Sequence, residues 1–212
     1  KTYDFQAKYQ TDEDDFAVKP QRDEYFSITH TGLFASDGNP DILWKVLAEK
    51  CRRDSEFKKL LRIRLAGKTD KQITESIVAA GLGENLEDLG YCNHNDAVCL
   101  QKSSSLLILP LRKEPEYRAT LPGKLFEYLA SERPILGIGQ TDGAMARIIS
   151  QTQAGFVFDW NDEASISRYI DLCWERFRSG TLKADTREIG SFSRRNLTHR
   201  MACLFDRLTD RS

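Results

Sequence analysis

The chain predicts an α/β fold: a doubly wound, parallel sheet of six strands with helices on both faces. Two observations carry this. From Phe26 onward, six apolar strand-like runs alternate with stretches of helical periodicity, the mark of consecutive βαβ units. Each run also ends at a turn or polar residue, and no fixed-period repeat or low-complexity tract competes with that order. At 212 residues the chain is long enough for one well-covered sheet, since a domain of this size hides roughly 70% of its unfolded surface.

The elements follow in order. FSITHTG (26–32) is the first strand, and the polar loop Ala35-Ser36-Asp37-Gly38-Asn39 leads into a helix over 40–59, for which Asn39 and Pro40 read as cap and first turn. LRIRLAG (61–67) precedes a helix over 70–80, and LEDLGY (86–91) one over 94–103. SLLILPL (105–111) is the most apolar run. Pro122 and Gly123 then open a helix over 123–131, which Pro134 stops before PILGIG (134–139). A helix over 143–152, the strand GFVFDW (155–160) and a helix over 162–178 after Asn161 complete the alternation. In a final helix over 192–209, Leu197, Met201, Leu204, Phe205 and Leu208 recur at helical spacing, which predicts a core-contact stripe. Residues 1–25 are acidic, aromatic and poorly periodic, so they read as a lead-in or linker, leaving 26–212 as one domain.

Bulk composition narrows the function. Lysine plus arginine (31) and aspartate plus glutamate (32) nearly cancel to a net charge of -1, so nothing calls for nucleic acid or an anionic membrane as partner. The five cysteines lack C-x-x-C spacing and read as buried free thiols of a reducing compartment. No apolar run is long enough for a membrane helix, and no signal-peptide pattern is present, which predicts a soluble chain. No His or Cys cluster has ligand spacing for a metal.

Chemistry concentrates in LPGKLFEYLASERPILGIG (121–139). Gly123, Lys124 and Leu125 offer backbone amides at a helix start, where anions are attracted. One turn on, Glu127 presents a carboxylate able to accept from a sugar hydroxyl. Because ligands of open α/β sheets sit beyond the carboxyl ends of the strands, Thr31 and Gly32 after the first strand are candidates too. Gly32 is either a turn glycine or the point where a diphosphate meets the backbone. Tyr91 and Cys92 follow the third strand; His94 beside them reads as a helix start rather than a general base.

KLFEYLASERPIL closely resembles the signature of glycosyltransferases built from two Rossmann-like domains, the GT-B fold, and in particular the retaining family 4, or group 1. The resemblance runs from about Asp12 to the last helix and implies the C-terminal, donor-binding half of such an enzyme. QTDEDDF resembles the linker that follows the N-terminal domain, so a fragment is expected, with the acceptor-binding half elsewhere. By this resemblance Glu127 holds the ribose of a nucleoside diphosphate sugar, and Tyr91 and Cys92 line the nucleobase. The implied reaction moves the sugar to a saccharide or lipid-linked acceptor without cofactor or metal, as in polysaccharide biosynthesis. The expected location is the cytoplasm, with peripheral attachment at the inner membrane face left open.

Two departures from the family pattern stand out. No Lys or Arg lies between His30 and Trp44, where the family places cations for the pyrophosphate. Replacement charge is expected from Lys68 or Lys124 first, and then from Arg112, Lys113 or Arg118. Many members also carry a first glutamate separated from the second by seven residues; here that place is Ala119, with the Thr120 hydroxyl adjacent. The alternatives are a nucleotide-sugar 2-epimerase of the same architecture and a non-catalytic nucleotide-binding or scaffold module. A dinucleotide module fits less well, because H-T-G-L-F replaces G-x-G-x-x-G after the first strand.

Overall fold

The computed structural model describes residues 23–184, 186–187, 189–192 and 194–209. The sheet is the six-stranded parallel one expected: β1 (Phe26–Thr31), β2 (Leu61–Ala66), β3 (Leu86–Gly90), β4 (Leu106–Pro110), β5 (Ile135–Ile138) and β6 (Gly155–Phe158). Its order is β3-β2-β1-β4-β5-β6, every pair parallel. The order of connection therefore reverses between β1 and β4, the switch point at which sheets of this kind place a crevice beyond the carboxyl ends of the strands.

Alternation along each strand sorts side chains onto two faces. Phe26 and Ile28 of β1, Leu61, Ile63 and Leu65 of β2, Leu106 and Ile108 of β4, and Leu136 and Ile138 of β5 form one core. It is covered by α1 (Asp41–Arg53), α2 (Ser55–Leu60), α3 (Lys71–Ala79) and α7 (Glu163–Arg178). Phe26, Phe57, Trp174 and Phe177 meet there with ring centroids 5.2 to 5.7 Å apart. Leu107 and Leu109 of β4 and Ile135 of β5 point the other way, against α5 (Lys124–Ala130) and α6 (Ala144–Thr152).

On that second face β1 is polar. Ser27, Thr29 and Thr31 are all buried, and α4 (His94–Ser103) docks on them through hydrogen bonds. Ser104 Oγ donates to Thr29 Oγ1 at 2.6 Å, and the Ser105 amide donates to Ser27 Oγ at 3.1 Å. Gln101, only 1% exposed, donates to Thr31 Oγ1 at 2.9 Å.

Several boundaries differ from the sequence reading. The helix expected over 40–59 is two, because extended Asp54 interrupts it and its carboxylate accepts from the Glu56 and Phe57 amides, capping α2. Asn39 is not the cap of α1: Pro40 holds that position, and the Asn39 side chain accepts from the Trp44 indole at 2.8 Å instead. The cap of α7 is Asp162, whose side chain accepts from the Ser165 amide at 3.0 Å.

The expected core stripe of the last helix, α8 (Arg194–Thr209), is exposed: Leu197, Met201, Leu204, Phe205 and Leu208 are 42 to 60% accessible. Both faces of the sheet already carry helices, so periodicity marked an apolar helix face without a sheet surface to bury it. Of the lead-in, residues 1–22 lie outside the described residues. Asp23 and Tyr25 belong to the domain, where Asp23 pairs with Arg64 and the Tyr25 ring lies 4.0 Å under the Arg62 guanidinium. Among the described residues no helix is long and apolar enough to cross a membrane.

At the carboxyl edge, the turns after β1 and β2 touch through backbone. Gly67 has φ +124°, and a Cβ there would stand 2.5 Å from the Gly32 carbonyl oxygen. Neither chain can yield without moving a strand end, so Gly67→Ala is expected to lower stability by on the order of 3 kcal/mol. The midpoint of urea unfolding measures this, with Gly81→Ala, where φ is also positive but a Cβ meets nothing within 4 Å, as the reference for strain alone.

Candidate functional site

The site forms where β1 ends, because three elements converge there. β1 supplies His30 and Thr31, and Gly32 turns the chain away at φ +87°. α5 lies across this end with Lys124 and Glu127 three residues apart on one helical face. α4 brings Gln101, whose amide bridges Thr31 Oγ1 at 2.9 Å and Glu127 Oε2 at 3.2 Å. Buried Tyr128 closes the back: its hydroxyl accepts from the Thr31 amide at 2.9 Å, satisfying the last backbone donor of β1.

Lys124 reaches across the end of β1. Its ammonium donates to the Leu33 carbonyl at 2.7 Å and meets His30 Nε2 at 2.8 Å. The chain passes directly beneath Gly32, where a Cβ would stand 3.0 Å from Lys124 Cε. The positive φ thus favours glycine at position 32, and a side chain there would push the end of Lys124 aside. His30 Nδ1 faces the Ile108 carbonyl at 3.1 Å, and its ring lies 4.2 Å from that of Phe34.

Burial dominates the local electrostatics. It pushes His30 down from 6.5 to about 3, with the neighbouring Lys124 charge adding to the effect. It pushes Lys124 down from 10.5 to about 8, opposed by the Glu127 carboxylate. The Tyr128 hydroxyl is pushed up to about 12, again by burial. At neutral pH the site therefore holds a neutral imidazole and a largely charged amine.

The structure brings together Thr31, Gly32, Lys124 and Glu127 from the sequence candidates and leaves the others apart. Leu125 is different from expected: its side chain is fully buried and its amide already donates to the Pro122 carbonyl at 2.9 Å, so it is not a free anion donor. Gly123 has φ -55°, and a Cβ there would meet nothing within 4 Å, so neither backbone conformation nor packing within the chain requires glycine at that position. Lys68 is exposed at the end of β2, and its carbonyl anchors Phe34 at 2.9 Å. Tyr91, 91% exposed, and Cys92 follow β3 at the same edge but two strands from β1, roughly 10 Å away at ordinary strand spacing. Thr120 bonds back to the Tyr117 carbonyl at 3.0 Å in the turn before α5. His94 opens α4 behind the Asn93 cap.

Of the other cations, Arg112 pairs with Asp37 at 2.7 Å and bonds the Tyr117 hydroxyl, Arg118 pairs with Asp142, and Lys113 is exposed. Lys124 is the candidate cation set against the end of β1. Sequence reasoning missed Gln101, Tyr128 and the role of His30. A buried amide or imidazole is visible only once its neighbours are known. Among the described residues no group of three or more His, Cys, Asp or Glu is arranged to hold a metal ion.

A family model described as glycosyl transferases group 1 matches residues 26–175. Solved structures share the fold: WaaG, a glycosyltransferase involved in lipopolysaccharide biosynthesis, superposes with a TM-score of 0.57 at 13% identity over 75% of this chain. The C-terminal domain of the group 1 glycosyl transferase LpcC from Francisella tularensis gives 0.54 at 12% identity, covering 82% of this chain and 87% of that domain. Sucrose-phosphate synthase from Thermosynechococcus elongatus gives 0.59 at 14% identity over 86% of this chain. The chain spans 40% of the WaaG chain and 46% of the synthase chain. No protein of curated function matches it by sequence.

A buried neutral histidine makes stability depend on pH. The unfolded chain binds a proton at His30 below about 6.5 and the folded chain binds it only near 3, so this contribution is lost as pH falls through that window. Denaturant titrations between pH 6.5 and 4.5 are expected to show stability falling by about 1.4 kcal/mol per pH unit from this group. The same series on His30→Gln, which cannot titrate, is expected to lack that component.

Proposed function

This chain belongs to the group 1 glycosyl transferases, and we propose that its carboxyl-edge crevice binds the nucleoside diphosphate sugar donor of a retaining transfer to a saccharide or lipid-linked acceptor. The observation that carries the proposal is the convergence of the Lys124 ammonium and the Glu127 carboxylate on the end of β1, at the point where strand order reverses. A nucleoside diphosphate presents both complementary chemistries: ribose hydroxyls for a carboxylate and a dianionic pyrophosphate for an ammonium.

In this scheme the Glu127 carboxylate accepts from the ribose, held in orientation by the Gln101 amide at 3.2 Å. Lys124 stands in for the loop cations that the segment between His30 and Trp44 lacks. As the sugar leaves, negative charge grows on the diphosphate, and a preorganised ammonium in a partly buried site stabilises it without covalent participation. The backbone of Gly32 can approach the phosphates because it bears no side chain. Lys68, Tyr91 and Cys92, at the adjoining strand ends, would take the base and outer phosphate, and Thr120 the sugar. The scheme asks for no metal. The acceptor would be presented by a second domain closing over the same edge, at a cytoplasmic site or at the inner membrane face.

A thermal-shift panel with UDP, GDP, ADP, CMP and NAD tests the reading. A ligand at 100 times its dissociation constant stabilises by about 2.7 kcal/mol, roughly 5 to 10 °C for a domain of this size. One nucleoside diphosphate is expected to give such a shift, and Glu127→Ala to abolish it while leaving the unliganded melting temperature within about 2 °C, since that side chain is exposed. Absence of a shift with every nucleotide at millimolar concentration would refute the donor site.

A further inference from the structure

His30 is a buried histidine to which the proposed transfer assigns no task. Its neutral imidazole has one N–H and one acceptor nitrogen. The Ile108 carbonyl lies 3.1 Å from Nδ1 and the Leu33 carbonyl 3.2 Å from Nε2, and both can only accept; the ammonium donor set closer to Nε2 than Leu33 makes that nitrogen the acceptor and leaves the proton on Nδ1. The donor that meets Nε2 is the Lys124 ammonium at 2.8 Å. A second ammonium N–H goes to the Leu33 carbonyl at 2.7 Å. Three N–H groups less these two leave one for an anion.

The arrangement is anchored at both ends. β1 and β4 are paired in the sheet at Ile28 and Leu106 and at Thr29 and Leu107, so the Ile108 carbonyl cannot drift from His30. At the other end, the Lys124 stem occupies the space a side chain at position 32 would need, a Cβ there standing 3.0 Å from Cε, and the ammonium is tied to the Leu33 carbonyl. A free lysine carries about 2 kcal/mol of rotamer entropy, and an amine that must find a phosphate each time loses it on binding. Here that freedom is given up on folding.

We propose that His30 is a positioning residue: held by Ile108, its acceptor nitrogen fixes the Lys124 ammonium beneath Gly32, in place to receive a phosphate of the ligand before the ligand arrives. This role rests on the nucleoside diphosphate reading of the site. It also makes binding proton-linked, because the cation that meets the phosphate is an amine pushed down to about 8. The titratable groups set against Lys124 are His30 on β1, which stays neutral across the working range, and Glu127 on its own helix.

The test is the affinity of the 212-residue chain for UDP, GDP and ADP by titration calorimetry from pH 7.5 to 9.5, where the terminal phosphate (second pKa about 6) no longer titrates. Wild-type affinity is expected to fall as pH rises through about 8, when Lys124 loses its proton. Lys124→Met should bind more weakly and without that fall. His30→Asn keeps an amide at the Nδ1 position for Ile108 but cannot reach Lys124; a loss of about tenfold at pH 7.5, with the pH step displaced, is expected. His30→Gln, long enough to present an amide oxygen to the amine, should recover most of that loss. If the nucleotide binds and His30→Asn matches wild type in affinity and pH profile, His30 does not position Lys124, and the donor reading survives. If Lys124→Met matches wild type, the proposal fails without the buried strand having been altered. If wild-type protein binds none of the three, the donor reading and the role of His30 fall together.

Discussion

The docking of α4 and the two serines that follow it on the central strand through hydroxyl and amide groups is the constraint on which the site depends. Ser27, Thr29 and Thr31 present three buried hydroxyls in a row, and Ser105, Ser104 and Gln101 meet them one for one. A buried hydroxyl without a partner costs several times what a satisfied one contributes, so sliding or rotating α4 would strand polar atoms rather than loosen packing gradually. That gives the helix a single register. Because Gln101 is the last rung, the register also determines where an amide meets Glu127.

The opposite face of β1 is conventional by comparison, with Phe26 and Ile28 in an aromatic and aliphatic core. His30 continues that face to the strand end, where the core gives way to the crevice. The strand thus delivers one titratable residue from its apolar face and one hydroxyl from its polar face to the same point. Lys124 and Tyr128 come over from α5 to receive them: the amine takes the imidazole nitrogen, and the phenol takes the Thr31 amide. Seven-residue α5 is too short to owe its place to helix propensity and is held by Leu125, Tyr128 and Leu129 in the second core. Buried side chains and side chains set at the strand end therefore alternate along one turn.

The loop after β1 shows how the missing cations are balanced. Asp37 sits where positive charge is expected, and Arg112 from the end of β4 pairs with it across the crevice. Ser36 is tied to Asp70 and Phe34 to Lys68 and Asp70, so the loop leans over β2. The space over the switch point is left to Lys124.

What the sequence determined by itself is what local periodicity and short-range chemistry encode. The six apolar runs are strands because β-branched and aliphatic residues cluster between turn signals, and their alternation with helices dictates a parallel sheet. Glu127 and Lys124 were legible because a helix start followed by an acid one turn later is itself a local pattern. Tertiary structure alone decided the rest. Gln101 in QKSSS reads as one more polar helix residue, His30 as a strand-end polar residue, and Tyr128 as core; each gains its role from partners 26 to 97 positions away. Asp54 breaks a helix that periodicity ran through, and the α8 stripe is apolar yet exposed. The physical reason is common to all of them: periodicity records which side of an element avoids water, whereas a buried polar group is stable only beside its complement, and that complement comes from a different part of the chain.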